Sequence, residues 1–251
     1  MNGAIKRCAL VTGATGALGA AFCERLIARG MSVVATGRDG PALTALSQRL
    51  PGLVTVCCDL TRPDQVEQLL RQWPQVDVLV AMAGAAESGP FEQRPWARIE
   101  DEIVLNAVTV AHLVHAYGAG MLAARSGMIL TVASTAAGRA APRLASYAAS
   151  KSFVLMLSRA LALEWRGRGV HVCCCIPGPI RSRFAERAGL GDRPRGLDAG
   201  AVADAALRAS DAGRTTVFPG LNSWLRWMAY SLIPDRVLAP WTSDTARHMP
   251  R

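Results

Sequence analysis

Short apolar runs alternate with stretches of helical periodicity along the whole chain. Apolar runs near 7–12, 32–36, 53–58, 76–81, 127–133, 170–176 and 215–218 predict strands. Between them, helical spacing predicts helices near 17–29, 41–50, 63–72, 98–124, 146–166 and 198–212. Strand–helix alternation of this kind marks parallel βαβ units. The strands read as apolar along their length, as a sheet covered on both faces requires. The expectation is one doubly wound α/β domain over residues 1–220, with about seven parallel strands and helices on both faces. A Gly/Pro/Arg-rich stretch at 181–197 is expected to be a mobile flap over the substrate rather than a domain boundary.

Composition narrows the class. The chain has 251 residues, of which 51% are hydrophobic. That is enough for a sizeable core, and it excludes disordered and disulfide-scaffold proteins. The net charge is +9, and the only lysines are Lys6 and Lys151. The arginines are scattered rather than clustered with aromatics, so nucleic acid is not an expected partner. Seven cysteines show no C-x-x-C or Cys/His ligand spacing, and Cys173-Cys174-Cys175 would alternate faces along a strand. No metal site is expected. The N-terminus lacks a signal-peptide pattern and no uninterrupted apolar run reaches bilayer length, so a cytoplasmic location is expected.

Candidate chemistry begins at Thr12-Gly13-Ala14-Thr15-Gly16-Ala17-Leu18-Gly19, between the first strand and the first helix. Glycines there allow a tight turn and let a helix N-terminus face a pyrophosphate. The second strand ends in Gly37-Arg38-Asp39. Arg38 suits the 2′-phosphate of NADP, whereas a carboxylate there would take the ribose hydroxyl of NAD, and Asp39 keeps that alternative open. Asp59, before Leu60 at the end of the third strand, serves either an adenine amino group or a turn. Ala83-Gly84, after the fourth strand, would let the backbone approach a nicotinamide ribose.

Tyr147 and Lys151 stand four apart at the start of a helix and share one face. A phenol is a poor acid–base at neutral pH, and a nearby ammonium is expected to draw its pKa down. One of two lysines in an arginine-dominated chain falls at this spot. Ser134 ends the fifth strand, thirteen residues upstream of Tyr147. Its hydroxyl is placed to hydrogen-bond a carbonyl as negative charge develops. A serine-hydrolase reading fails for want of a G-x-S-x-G elbow, and none of the four histidines sits in a recognisable catalytic motif.

Together these residues resemble the short-chain dehydrogenase/reductase family, in its short single-domain form, over roughly residues 7–218. The resemblance implies a Rossmann-like sheet and hydride transfer between NAD(P)H and a carbonyl/alcohol pair. It implies Tyr147 as general acid–base, with Lys151 lowering its pKa and binding the nicotinamide ribose. Ser134 would orient the substrate oxygen and Asn106 would hold a proton-relay water near Lys151. Pro177-Gly178-Pro179-Ile180 matches the segment that contacts the nicotinamide carboxamide, with Ser182 where a threonine is usual. Two positions depart from the pattern. Ala17 replaces the middle glycine of T-G-x-x-x-G-x-G, and the resulting T-G-x-x-G-x-x-G resembles a longer, epimerase-like branch. Ala81-Met82-Ala83-Gly84 stands where N-N-A-G is common, which removes an asparagine amide that would brace the central strand.

The expected activity is an NADP-preferring carbonyl reductase or alcohol dehydrogenase acting on a fairly apolar ketone, aldehyde or secondary alcohol, with NAD the lesser alternative. The rivals are a 3-oxoacyl-thioester reductase serving an acidic carrier protein, for which +9 would help, and a catalytically silent cofactor-binding regulator or scaffold. The long apolar helices near 98–124 and 146–166, through which family members commonly pair, suggest a homodimer or homotetramer. Residues 221–251 form a tail with three of the six tryptophans. It reads as a helix packed on the domain or an interface, as a lid over a lipophilic substrate, or as a peripheral membrane contact through 221–241, the last not favoured.

Overall fold

The computed structural model describes residues 6–191, 196–220, 224, 225, 227 and 228. Among these, strands β1 (Cys8–Thr12), β2 (Ser32–Gly37), β3 (Leu53–Cys57), β4 (Val78–Ala81), β5 (Gly127–Val132), β6 (Val170–Cys175) and β7 (Thr216–Val217) form one sheet. Their order is β3-β2-β1-β4-β5-β6-β7, and every pairing is parallel. Helices α1 (Ala17–Ala28), α2 (Gly40–Arg49), α3 (Pro63–Gln72), α4 (Trp96–Ile103), α5 (Thr109–Ala124), α6 (Ala145–Glu164), α7 (Phe184–Arg187) and α8 (Ala199–Asp211) lie between and after the strands.

The period-2 geometry of each strand sorts its side chains into two cores. Leu10, Leu79, Ile129, Val172 and Cys174 point to the face covered by α3, α5 and α6, where Val66, Leu113 and Val154 meet them. Ala9, Val11, Val78, Val80, Leu130 and Cys175 point to the other face, against Phe22 and Leu26 of α1 and Val202 and Leu207 of α8. The cysteine triplet therefore splits between the cores, and burial pushes the Cys173 thiol up to about 12. All seven cysteines are free.

Three features add to the sequence expectations. The strand β3 is an edge and only partly covered, with Val54 42% exposed, because no strand among the described residues pairs with its outer side. The long helix near 98–124 begins at Trp96 and is interrupted by a π-helical turn over Val104–Val108. This 29-residue run is long and apolar enough to cross a membrane, yet α5 buries Val110, Leu113, Val114, Tyr117 and Met121 in the core. The 181–191 stretch contains the short helix α7, and Ile180 pairs with Leu197 in an isolated parallel bridge.

The chain reverses direction across the sheet between β1 and β4, which opens a crevice at the carboxyl ends of the strands. Thr12 holds that point together. Its hydroxyl donates to the Val80 carbonyl at 3.3 Å and accepts from the amides of Met82 and Ala83 at 2.9 and 3.0 Å. The bracing expected to be lost with Met82 is thus supplied from the neighbouring strand, and Met82 packs against the α1-side core. Removing the hydroxyl leaves the part-buried Met82 amide and the buried Ala83 amide without their acceptor. Thr12→Val is expected to cost about 1–3 kcal/mol in urea unfolding, while Thr12→Ser retains most of the stability.

Candidate active site

Ser134 leaves β5 in an extended conformation and caps a 3-10 turn over Thr135–Gly138, its Oγ accepting from the Ala136 amide at 3.1 Å. Tyr147 lies in the first turn of α6, with Lys151 one turn further on. The structure brings the three together: the Ser134 hydroxyl acts on the Tyr147 phenol and favours its ionised form, and the Lys151 Nζ lies 6.0 Å from the Tyr147 ring centroid. Lys151 is only 4% exposed and donates to the Val132 carbonyl at 3.0 Å.

The electrostatics correct one expectation. Burial raises the Tyr147 phenol above its ordinary value, the Ser134 hydroxyl draws it back down in part, and the Glu102 carboxylate adds to the rise. Lys151 does not reverse this in the protein alone. Burial weakens its own ammonium, lowering its pKa from 10.5 to about 8. The cation remains charged at neutral pH but is held at a cost.

Asn106 sits in the π-helical turn and is fully buried. Its Oδ1 accepts from the Ala85 amide at 2.9 Å, and its Nδ2 donates to the Ala85 carbonyl at 2.8 Å and to Ser150 Oγ at 3.1 Å. This clasp fixes the segment after β4 to α6. A π turn inside a helix often marks a functional position. At Gly84 an added Cβ would lie 3.0 Å from Asn106 Oδ1 and 3.2 Å from Lys151 Nζ, so a side chain there would press on both.

The glycine turn fits a dinucleotide pyrophosphate. Gly13 has φ +68, and a Cβ there would meet Ala83 Cα at 2.9 Å. At Gly19 a Cβ would lie 2.4 Å from the Gly13 carbonyl oxygen, so α1 packs on the turn only with glycine there. Helix α1 starts at Ala17 after Gly16, without a side-chain cap or an acidic residue in its first turn. Its leading N–H groups, including those of Ala17, Leu18 and Gly19, are left for an anion. Ala17 is exposed and leaves this geometry intact, and Thr15 packs against Gly37 at the tip of β2.

The residues around that tip divide clearly. Asp39 caps α2, with Oδ1 accepting from the Ala42 amide at 3.0 Å. Arg38 is exposed and makes no ion pair within 4 Å among the described residues. Asp59 Oδ1 accepts from the amide and the hydroxyl of Thr61, as the turn reading describes. Leu60 is buried, its carbonyl accepting from Thr109 Oγ1 at 2.7 Å. Ala83 and Gly84 lie between the glycine turn and the Asn106–Lys151 pair. Pro177 is buried, with its carbonyl accepting from the Thr135 amide, while Gly178 is half-buried and Ile180 pairs with Leu197. Ser182 is turned to its own loop, donating to the Ile180 carbonyl and accepting from the Phe184 amide.

Residues 7–191 match the short chain dehydrogenase family model, and the chain belongs to that family. It is 32% identical over 200 residues to a granaticin polyketide synthase putative ketoacyl reductase of Streptomyces violaceoruber, covering 73% of this chain and 71% of that one. A short-chain dehydrogenase from Sphingobium yanoikuyae, solved in complex with NADPH, superposes with TM-score 0.82 at 31% identity over 95% and 96% of the two chains. A bulky-bulky ketone specific alcohol dehydrogenase from Comamonas testosteroni gives 0.78 at 28% identity over 97% and 99%. The protein is a nicotinamide-dependent dehydrogenase acting on CH–OH/C=O.

Sequence reasoning missed Thr12, Ser150 and a buried group formed by Arg94, Glu102 and Ser146. A threonine closing an apolar strand was the one available signal for Thr12. The Arg94–Ser146 contact spans 52 residues and leaves no local pattern.

The lowered pKa of Lys151 carries a stability cost with a defined sign. Below pH 8 the lysine is protonated both folded and unfolded, so the full cost of burying the cation is present. Between about 8 and 10.5 the folded form loses its proton first and the cost fades. Lys151→Met, measured without nucleotide, is expected to stabilise the fold at pH 7 by about 1–3 kcal/mol. The gain should vanish as the pH rises through that window.

Proposed function

We propose that the chain is an NADP-preferring oxidoreductase that interconverts an apolar ketone or aldehyde with the corresponding alcohol. The observation that carries this reading is the convergence of Ser134, Tyr147 and the buried Lys151 at the carboxyl ends of β5 and β6. A reduced nicotinamide, when bound, supplies the hydride. Ser134 and the Tyr147 hydroxyl hold the carbonyl oxygen, and Tyr147 donates the proton that completes the alcohol. Lys151 favours the phenolate left behind.

The preference for NADP rests on the tip of β2. Asp39 is engaged as a helix cap, while Arg38 stands exposed beside Gly37. A guanidinium there matches a 2′-phosphate, and the carboxylate that would favour NAD is turned to α2. Arg38→Ala is expected to weaken NADPH at least tenfold, about 1.4 kcal/mol, and to leave NADH within about twofold. Fluorescence titration with both nucleotides measures it, and equal losses remove Arg38 as selector.

Apolar walls around the phenol support an apolar substrate. The Phe184 ring of α7 lies 6.0 Å from that of Tyr147. Phe218 and Trp227 stack at 5.2 Å, and the indole reaches the turn after Ser134, where a Cβ at Gly138 would overlap it. Most of the tail lies outside the described residues, and Trp227, packed with Phe218 against the core on the α5–α6 side, supports the reading of a tail packed on the domain. Phe153, Met156 and Leu163 are exposed along α6, which supports pairing with a second copy.

The ketoacyl reductase relative and the charge of +9 favour one second reading, a 3-oxoacyl thioester on an acidic carrier. Tyr147→Phe is expected to cut kcat by at least about a thousandfold and to keep nucleotide binding. Near-normal turnover in that variant sinks the assignment, and turnover of carrier-bound but not free ketones selects the second reading.

A further inference from the structure

A buried ion pair is bonded to Ser146, the residue before Tyr147, and the reaction as described makes no use of it. Arg94 belongs to the loop after β4, and Glu102 is on α4; their side chains are 5% and 3% exposed. Arg94 Nη2 donates to Glu102 Oε2 at 3.0 Å, and Nη1 donates to Ser146 Oγ at 2.8 Å. Ser146, the residue before Tyr147, donates its own proton to Glu102 Oε1 at 2.6 Å. The Glu87 amide adds a bond to Glu102 Oε2 at 3.0 Å. Each carboxylate oxygen therefore has its partners, and the start of α6 is tied to α4 and to the loop.

A full negative charge in this position works against proton transfer. When Tyr147 gives up its proton it becomes an anion, one residue from a hydroxyl that is bonded to a buried carboxylate. A like charge disfavours the ionised form, and low-dielectric surroundings strengthen the effect. Glu102 does act on Tyr147 in this direction. Other charged groups lie on the elements around the phenol. Lys151, Arg159 and Glu164 are on the same helix, the last two exposed; Arg139 and Arg143 lie between Ser134 and α6; and Arg183, just before α7, and Glu186 and Arg187 within it are exposed. On α4, Arg98, Glu100 and Asp101 are exposed as well. Glu87, 48% exposed and 3.8 Å from Arg94, adds a second, solvated carboxylate.

We propose that Arg94 is a positioning residue for the reaction: it cancels the Glu102 charge that would otherwise face the Tyr147 phenolate, and it fixes the loop after β4 to the first turn of α6. The proposal rests on Tyr147 acting as proton donor. Loss of Arg94 leaves a bare anion near the phenol, and loss of Glu102 leaves a bare cation.

The test reads Tyr147 directly. Tyrosinate absorbance is titrated on the nucleotide-free full chain, and the same titration of Tyr147→Phe is subtracted. Arg94→Met is expected to raise the Tyr147 midpoint by about one pH unit or more, and Glu102→Gln to lower it. The double variant Arg94→Met/Glu102→Gln carries neither charge, and its midpoint is expected to return to within about 0.3 of the wild type. A purely structural brace lowers thermal stability in all three and leaves the midpoint in place, which overturns the proposal. Breaking the pair from one side is severe for a buried site. If Arg94→Met does not fold, Glu102→Gln and the double variant still decide the matter through the midpoint. Turnover takes no part in this titration. Retained turnover in Tyr147→Phe would end the proposed reaction without touching the titration, and an unmoved midpoint would end the role of Arg94 without touching the reaction.

Discussion

The ammonium of Lys151 lies in the interior of the domain, bonded to the carbonyl of Val132 and 4% exposed. A buried cation is costly unless paired, and no carboxylate lies within ion-pair distance of it among the described residues. Much of the surrounding architecture makes that position possible. A carbonyl at the end of a parallel strand has no partner inside its own ladder, so β5 offers Val132 as an acceptor. Helix α6 must then run close enough for a lysine one turn from Tyr147 to reach it. Gly84 has no side chain where Lys151 and Asn106 approach. The fold accepts a local penalty where the chemistry needs a charge.

Around that charge, polar side chains take up backbone groups that the sheet leaves open at the crevice. Thr12 binds the end of β4 from the next strand. Asn106 binds both polar groups of Ala85 and passes a bond to Ser150, which in turn donates to the Tyr147 carbonyl. These links run across β1, β4, the π turn and α6, so the Ser134–Tyr147–Lys151 geometry is set by contacts from four parts of the chain. Strands alone would leave the loop after β4 free to slide, and the nicotinamide end of the site is the part that tolerates it least.

Most of the frame was legible in the sequence because its signals are local. Continuous apolar strands, helical periodicity and the glycines of the first turn each declare themselves within a dozen residues. The paired Tyr147 and Lys151 were legible for the same reason, since four residues apart on a helix fixes a shared face. What escaped was long-range or a matter of degree. The Arg94–Ser146 contact joins residues 52 positions apart. The interruption at Val104–Val108 follows from Asn106 reaching across to Ala85, and no spacing announces it. The effect of burial on Tyr147 and Lys151 was not legible, because the sequence shows that an ammonium is near but not how deeply it is buried.

Burial is the term that dominates the site. It raises the phenol and weakens the lysine, so the protein alone holds Tyr147 in its protonated form, as a donor to a carbonyl requires. The same burial makes every neighbouring charge count, because fields that water would screen persist in an apolar interior. Ser134 draws the phenol down and Glu102 pushes it up. With opposing influences of this kind in a dry site, small changes in charge neutralisation at the edge translate into the protonation state at the centre. That places the loop after β4 and the first turn of α6 under the same electrostatic constraint as the reacting residues themselves.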